Sequence, residues 1–299
     1  MTTIAPAQVT APARAAATEP ISSGPKGRRG LVMTLVLAVI ALFWISPLAL
    51  LVITAVRPLS DFIGNGPLSW PDQLTWSNFK DAWGIGNFAT TYKNSAILAA
   101  IKVPLGVLVS AMLGFALAKL RMKFRRTVMF SVFLGLTIPI YITIVPVFIM
   151  MRQAGATDSI FGLIGPYLAF GIPFEVLVLQ SFFRQLPDEI IEAARVDGAG
   201  DWRVFFTIIL PLSVPALVTV AILDAVATWN EFLFALILTS TPNAQTIPVV
   251  LSGFLSQARF YEYGPMFAAS VLSIAPPVLV AFLFQRYLVQ GALSGAVKG

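Results

Sequence analysis

Glu192-Ala193-Ala194-Arg195-Val196-Asp197-Gly198 and, nine residues later, Ile208-Ile209-Leu210-Pro211 interrupt two long apolar segments with polar sequence. Asp188, Glu189, Glu192, Arg195, Asp197 and Asp201 crowd into this interruption, although the chain as a whole is 57% hydrophobic and only 11% charged. A water-soluble domain carries about 25% charged residues, so lipid is the main solvent of this chain. A dense polar segment held between apolar runs is then a surface for another protein. Its partner decides the function.

Within the interruption the pattern predicts two short helices over 185–211. Pro187 suits a first helical position, and Asp188 with Glu189 complements the positive end of the helix dipole. Ile190, Ile191 and Ala194 supply an apolar stripe at helical spacing. Gly198 suits the left-handed turn that ends such a helix, a conformation other residues adopt only at a cost. Asp201 is placed to cap a second helix carrying Trp202, Phe205, Phe206 and Ile209, with Pro211 as its stop. The expected product is a helix–turn–helix knob. From geometry alone it suits either an amphipathic loop lying on the bilayer or a docking surface.

A helical span needs about 20 apolar residues. Six stretches meet this: Leu31–Val56, Ser95–Ala118, Thr127–Met151, Ile160–Phe183, Leu212–Thr239 and Pro265–Gln285. The first is 26 residues without a charge, longer than the apolar core of a cleaved signal peptide, and is expected to remain a span. Residues 1–29, rich in Ala, Pro, Thr and Ser, cannot bury enough surface to offset ordering entropy and read as a disordered cytoplasmic segment. Residues 30–299 form the membrane domain. With the N-terminus inside, 14 of the 20 basic residues fall on the cytoplasmic side and five in outer loops, so the positive-inside rule gives an N-in, C-in arrangement. The knob is then cytoplasmic. This distribution also accounts for the net charge of +6 without nucleic acid as a partner. The two long outer loops carry Trp70, Trp76, Trp83, Phe254, Phe260, Tyr261 and Tyr263, types suited to the membrane–water interface or, in the second loop, to an external partner.

The spacing of the interruption, Glu-Ala-Ala, three residues, Gly198, nine residues, Ile208, one residue, Leu210-Pro211, resembles the signature cytoplasmic loop of permease subunits from binding-protein-dependent ABC importers. The resemblance implies an all-α, six-helix type I importer permease in a bacterial plasma membrane. It implies that Glu192, Ala193, Ala194, Asp197, Gly198, Leu210 and Pro211 couple the chain to an ATPase. It further implies a second permease subunit, two ATP-binding subunits that hold ATP and magnesium, and an extracytoplasmic solute-binding protein. Thr228-Trp229-Asn230-Glu231-Phe232 and the tail from Gln285 to Gly299 are similar to segments of the carbohydrate-uptake branch. No Gly-x-x-x-x-Gly-Lys-Ser/Thr phosphate loop occurs in the sequence, so nucleotide hydrolysis is expected in a separate subunit.

Charges inside a span are expensive and face protein or water. Asp224 lies about midway along the fifth span and Glu175 midway along the fourth, while Glu231 and Asn230 sit nearer the outer end. These four are candidates for a polar path, the alternative being pairing between helices. Lys102, near the outer end of the second span, is expected to snorkel outward. Pro139, Pro146, Pro276 and Pro277 are expected to kink the third and sixth spans. A proton-coupled transporter using Asp224, Glu175 and Glu231 as relays is the second reading, although it leaves the loop motif unexplained. A membrane-embedded enzyme is the third. The absence of Cys and His removes thiolate and imidazole chemistry and the commonest metal ligands. The motifs do not distinguish sugar, oligosaccharide and glycerol-phosphate substrates.

Overall fold

The computed structural model describes the backbone of residues 28–66, 68–257 and 263–296, and among these all regular structure is helical. The expected disordered segment lies outside the described residues except for its last two, which begin the first helix. Phe260, Tyr261 and the last three residues of the tail also lie outside them.

Helix α1 (Arg28–Ala55) is a 28-residue apolar rod, about 42 Å long at 1.5 Å per residue and so ample for a hydrocarbon core of about 30 Å. The chain then leaves the span through two short helices, α2 (Leu59–Asn65) and α3 (Ser77–Ile85). Arg57 organises this loop. Fully buried, its guanidinium donates to Asp61 Oδ2 at 3.0 Å, to Ser69 Oγ at 2.7 Å and to the carbonyls of Asp61, Gly66 and Ser69. A buried charge is tolerable only when it is paired and hydrogen-bonded in this way. Trp70 and Trp76 stay exposed, while Trp83 stacks on Phe88 and Tyr92.

Helix α4 (Phe88–Lys119) packs along α7 (Ile160–Phe183) in the most extensive helix pair among the described residues. Gly114 permits the close approach, since a Cβ there would stand 3.1 Å from the Gln180 nitrogen. The third span is not one helix. It divides into α5 (Arg125–Thr137) and α6 (Ile140–Gln153), which meet at 101°. Proline drives the preceding residue out of the helical region; Ile138 is extended (φ −71°, ψ 114°) and Pro139 opens α6. The expected kink is therefore a break at Pro139, whereas α6 continues through Pro146.

After α7 come α8 (Asp188–Val196), α9 (Asp201–Val204), a π-helical turn (Phe205–Ile209) and α10 (Leu210–Leu212). The fifth span is α11 (Val214–Asn230), bent by 78° from the segment Asp201–Leu212. It is broken again at Glu231–Phe232 before α12 (Leu233–Leu238). The first bend falls at the expected boundary between the knob and the span, next to Pro211; contiguous apolar sequence concealed the second, where no proline stands at Glu231 to betray it. Helices α13 (Ile247–Gln257) and α14 (Tyr263–Ala296) complete the described chain, and α14 runs unbroken through Pro276 and Pro277. Among the described residues, four helices are long and apolar enough to cross a membrane, or up to six if each bent pair counts as one.

Candidate functional site

The knob is built as two faces. On α8, Ile191 and Ala194 are buried and join Ala111 and Phe115 of α4, Leu179 and Phe183 of α7, Phe205 and Ile209 of the π-turn and Val220 of α11 in one cluster. The other face of the helix, Glu192, Ala193, Arg195, Val196 and Asp197, is exposed. Ile190, expected in the apolar stripe, is exposed as well. Ala194 therefore fixes the helix to the membrane bundle, while Glu192 and Ala193 face outward. Leu210 is half-buried and Pro211 exposed, on the segment that returns to the bundle.

The turn geometry follows the sequence expectation closely at Gly198. Its φ is +81°, and the Gly198 N–H donates to Arg195 O at 3.0 Å while Ala199 N–H donates to Ala194 O at 2.9 Å. This pair of bonds satisfies the last carbonyls of α8 in a Schellman turn. No atom lies within 4 Å of a Cβ placed on Gly198, so backbone conformation alone demands glycine there. Three details differ from expectation. Pro187 is the N-cap and not the first helical residue (ψ 135°), so the helix starts at Asp188. Asp201 is not a cap; it is the first residue of α9, and its carboxylate accepts from Arg195 Nη2 at 2.9 Å, bridging the two helices. The second helix also runs past Pro211 to Leu212, through a π-helical turn at Phe205–Ile209 that lies just before the proline. Lys119, at the end of α4, donates to Leu186 O at 2.6 Å and Asp188 Oδ1 at 2.5 Å, tying the base of the knob to the neighbouring span.

Deeper in the bundle, the intramembrane charges meet. Lys102 does not snorkel: it is 2% exposed, and its ammonium donates to Asp224 Oδ1 and to Glu175 Oε1, the latter at 3.4 Å. Glu175 Oε2 also accepts from Ser110 Oγ at 2.8 Å. Lysine thus turns inward because two carboxylates there replace its hydration, which an apolar route to the interface would not. Room for the triad comes from two glycines. A Cβ on Gly171 would lie 2.5 Å from Lys102 Nζ, and one on Gly106 would lie 3.3 Å from both Glu175 oxygens.

Beside the triad is a cavity of about 160 Å³ whose walls include Lys102, Tyr167, Asp224, Thr228 and Glu231. Among the described residues, Asp224 Oδ2 and Thr228 Oγ1 have no hydrogen-bond partner. Glu231 stands at the break between α11 and α12, where its carboxylate accepts from the backbone N–H groups of Phe234 (2.9 Å) and Ala235 (3.2 Å). It supplies the cap that an interrupted helix inside a membrane requires. Asn230 is exposed and donates back to Val226 O at 2.8 Å. Of the four path candidates, Asp224 and Glu231 thus reach the cavity, Glu175 lies behind it on Lys102, and Asn230 turns away. Tyr167 and Gly171 were missed by the sequence reading, which quoted Thr228 only within the segment similar to the carbohydrate-uptake branch. Lys102 was noticed but misdirected, and the signal for it was one cation within a span in a chain whose other spans hold two acids at mid-depth.

A third polar contact joins the loop between α6 and α7 to the loop after α12. Asp158 has φ +57° and accepts from the backbone N–H groups of Ser240 and Thr241, each at 2.8 Å. Those donors, Thr241 first, hold its carboxyl below the usual aspartate value.

The family described as "Binding-protein-dependent transport system inner membrane component" matches residues 106–293, which contain the knob, the triad partners Glu175 and Asp224, and the broken span. The diacetylchitobiose uptake system permease protein NgcG of Streptomyces coelicolor is 31% identical over 269 residues, covering 90% of this chain and 87% of that protein. The trehalose transport system permease protein SugB of Mycobacterium tuberculosis is 34% identical over 263 residues, covering 88% and 93%. A crystal structure of a bacterial ABC transporter involved in the import of the acidic polysaccharide alginate superposes with a TM-score of 0.73 at 23% identity, covering 89% of this chain and 99% of that chain, a likeness of fold. This all-helical, multi-pass chain belongs to the family of inner-membrane permease components of binding-protein-dependent transport systems.

Proposed function

We propose that the chain is one of two permease subunits of an ATP-driven importer that carries a carbohydrate across a bacterial plasma membrane into the cytoplasm. Two separate ATPase subunits would bind ATP and magnesium, and an extracytoplasmic binding protein would deliver the solute. The observation that carries this reading is the knob: an exposed acidic face around Glu192 and Asp197, set rigidly by Ile191 and Ala194 onto α4, α7 and α11. A surface of this kind converts the approach of two ATPase subunits into movement of three membrane helices, since close-packed interiors transmit displacement. The carbohydrate assignment is supported by the named solutes of the relatives, diacetylchitobiose and trehalose. Asp224 and Glu231 are assigned to the solute path.

The six-span, N-in and C-in arrangement belongs to this proposal, because it sets the knob on the side of the ATPases. The proton-coupled reading is disfavoured by the engagement of Asp224 and Glu175 with Lys102, which leaves neither as a free relay. The test is uptake by the reconstituted complex. Accumulation that requires ATP and persists with a protonophore supports the importer, and accumulation on a proton gradient alone overturns it. Glu192→Lys should leave the complex in the membrane and abolish solute-stimulated ATP hydrolysis. Wild-type stimulation in that variant would remove Glu192 from the coupling surface.

A further inference from the structure

Between Asp81 and Asp158 the sequence has no acidic residue, yet Lys119, Arg121, Lys123, Arg125 and Arg126 fall within eight positions of that interval. Lys119 is taken up by Leu186 O and Asp188. The other four are exposed, and among the described residues none of them has an ion pair. Lys123 instead lies over the Phe124 ring, 5.7 Å from its centre. Arg121, Lys123 and Arg125 line an open cleft of about 550 Å³ whose remaining walls are Leu120 and Met122. Helix α5, 13 residues long, begins at this cleft with no acidic residue in its first turn and no side-chain cap. Its free N–H groups therefore add to the positive potential there.

A merely solvated basic loop does not need an apolar floor, and the surroundings point to lipid. Phe124 is 66% exposed and Phe130 63%, with Phe133 a further turn along α5, so the helix that starts at the cations presents aromatic rings to its surroundings. The connection from α4 to α5 is only residues 120–124, too short to carry the charges far from the ends of the spans. Cations at the ends of apolar helices, beside an exposed ring, lie at headgroup depth. We propose that this connection and the first turn of α5 bind the phosphate headgroup of an anionic phospholipid in the adjoining leaflet. Arg121, Lys123 and Arg125 take the phosphate, Arg126 adds charge, and Leu120 with Met122 meets the start of the acyl chains. Lys119 links the site to the base of the knob, so occupancy is felt one residue from the contact that positions α8.

The experiment uses the assembled transporter in nanodiscs of phosphatidylcholine containing a minor fraction of phosphatidylglycerol. Lipid retained on the complex is counted by native mass spectrometry. Each surface cation contributes roughly fivefold to anionic-lipid partition, so Arg121→Gln/Lys123→Gln/Arg125→Gln/Arg126→Gln should lower phosphatidylglycerol enrichment by at least about tenfold. Arg121→Gln and Arg125→Gln alone should each produce part of that loss, which covers the case in which the fourfold variant fails to assemble. Arg152→Gln, an exposed cation elsewhere on the chain, should leave enrichment unchanged. Enrichment should fall as salt rises and withstand millimolar inorganic phosphate. Displacement by phosphate would make this a free-anion site and overturn the lipid assignment. Unchanged enrichment in the single and fourfold variants would overturn it as well. So would loss of the ATPase subunits from a variant whose lipid shell is unaltered, since the patch would then be a protein interface.

Discussion

Replacing Lys102 by methionine should destabilise the chain severely, and the size of the effect can be worked out from the triad. The side chain is of similar length and apolar, so the packing between α4, α7 and α11 is nearly conserved while one charge is removed. What remains is Asp224 and Glu175, both at most 7% exposed, with no cation against them. Breaking a buried pair by deleting one partner costs about 3–5 kcal/mol. A loss of about 4 kcal/mol is therefore expected. It should be measured by unfolding the purified complex in mixed micelles with increasing denaturing detergent. The rescue identifies the cause. Lys102→Met with Asp224→Asn and Glu175→Gln leaves polar but neutral groups and should recover more than half of the loss. A Lys102→Met complex as stable as wild type, or one whose defect the neutral triple variant does not relieve, would refute the triad as the reason Lys102 turns inward.

Gly198→Ala fits sterically but must hold φ near +81°, at a cost of about 1–2 kcal/mol; hydrogen exchange should show faster opening of α8, and Gly198→Asn should lie between the two because asparagine tolerates the left-handed region. Asp158→Ala should loosen the 240–241 turn, whereas Asp158→Asn, which keeps one acceptor and tolerates φ +57°, should preserve most of it. The carboxyl of Asp158 is held below its usual value by the Thr241 and Ser240 N–H groups. Its contribution is therefore complete above the unfolded aspartate value of about 3.9 and disappears as pH falls through the lowered one. Protection of those two amides should be flat from neutral pH down to that point; a decline beginning near pH 6 would contradict the assignment. Asp224→Asn should reduce solute-stimulated ATP hydrolysis and uptake, and normal values for both would remove Asp224 from the path.

The parts of this fold that were legible in the sequence are those in which local chemistry leaves one solution. The knob is the plainest case, since Gly198 permits a turn that few residues allow and charges on one side of α8 oppose apolar residues on the other. The apolar runs likewise announced spans. Hydropathy, however, averages over direction, so it did not register that the third span folds at Pro139 or that the fifth breaks at Glu231. Proline was a usable signal in the first case. In the second, the break is held by a carboxylate capping the next helix, an arrangement visible only when Phe234 and Ala235 are in place. The candidate path was legible as composition and not as geometry. Asp224, Glu175 and Lys102 are separated by up to 122 positions along the chain, and nothing local specifies that they meet. Gly106 and Gly171, which make the space, carry no chemistry of their own to notice.

The triad and the knob share their supports. Lys102 is on α4, Glu175 on α7 and Asp224 on α11; the cluster that grips α8 is made by Phe115 of α4, Phe183 of α7 and Val220 of α11. Along those helices the grip and the charges are 13, 8 and 4 residues apart, or about 20, 12 and 6 Å at 1.5 Å per residue. A displacement of α8 cannot be absorbed in the grip, because a packed aromatic cluster has little free volume to give up. It passes to three helices that are cross-linked further along by one ammonium. If they move as a unit, Lys102 keeps both carboxylates and the cavity beside Asp224 moves without changing shape. If they slide past one another, one of the two ion pairs must break, and the carboxylate released must meet water or solute. The Lys102–Glu175 contact is the longer one, at 3.4 Å, but Glu175 also accepts from Ser110, which stands on α4 with Lys102. Two polar contacts therefore hold α7 to α4, where the helices are also most extensively packed, and one holds α11 to α4. Sliding would therefore separate α11 from the α4–α7 pair before it separated α4 from α7. A cross-link between α4 and α11 at the level of the triad should stop solute-stimulated ATP hydrolysis, while one between α4 and α7 should be tolerated. The reverse pattern would show that the Glu175 pair is the one that opens.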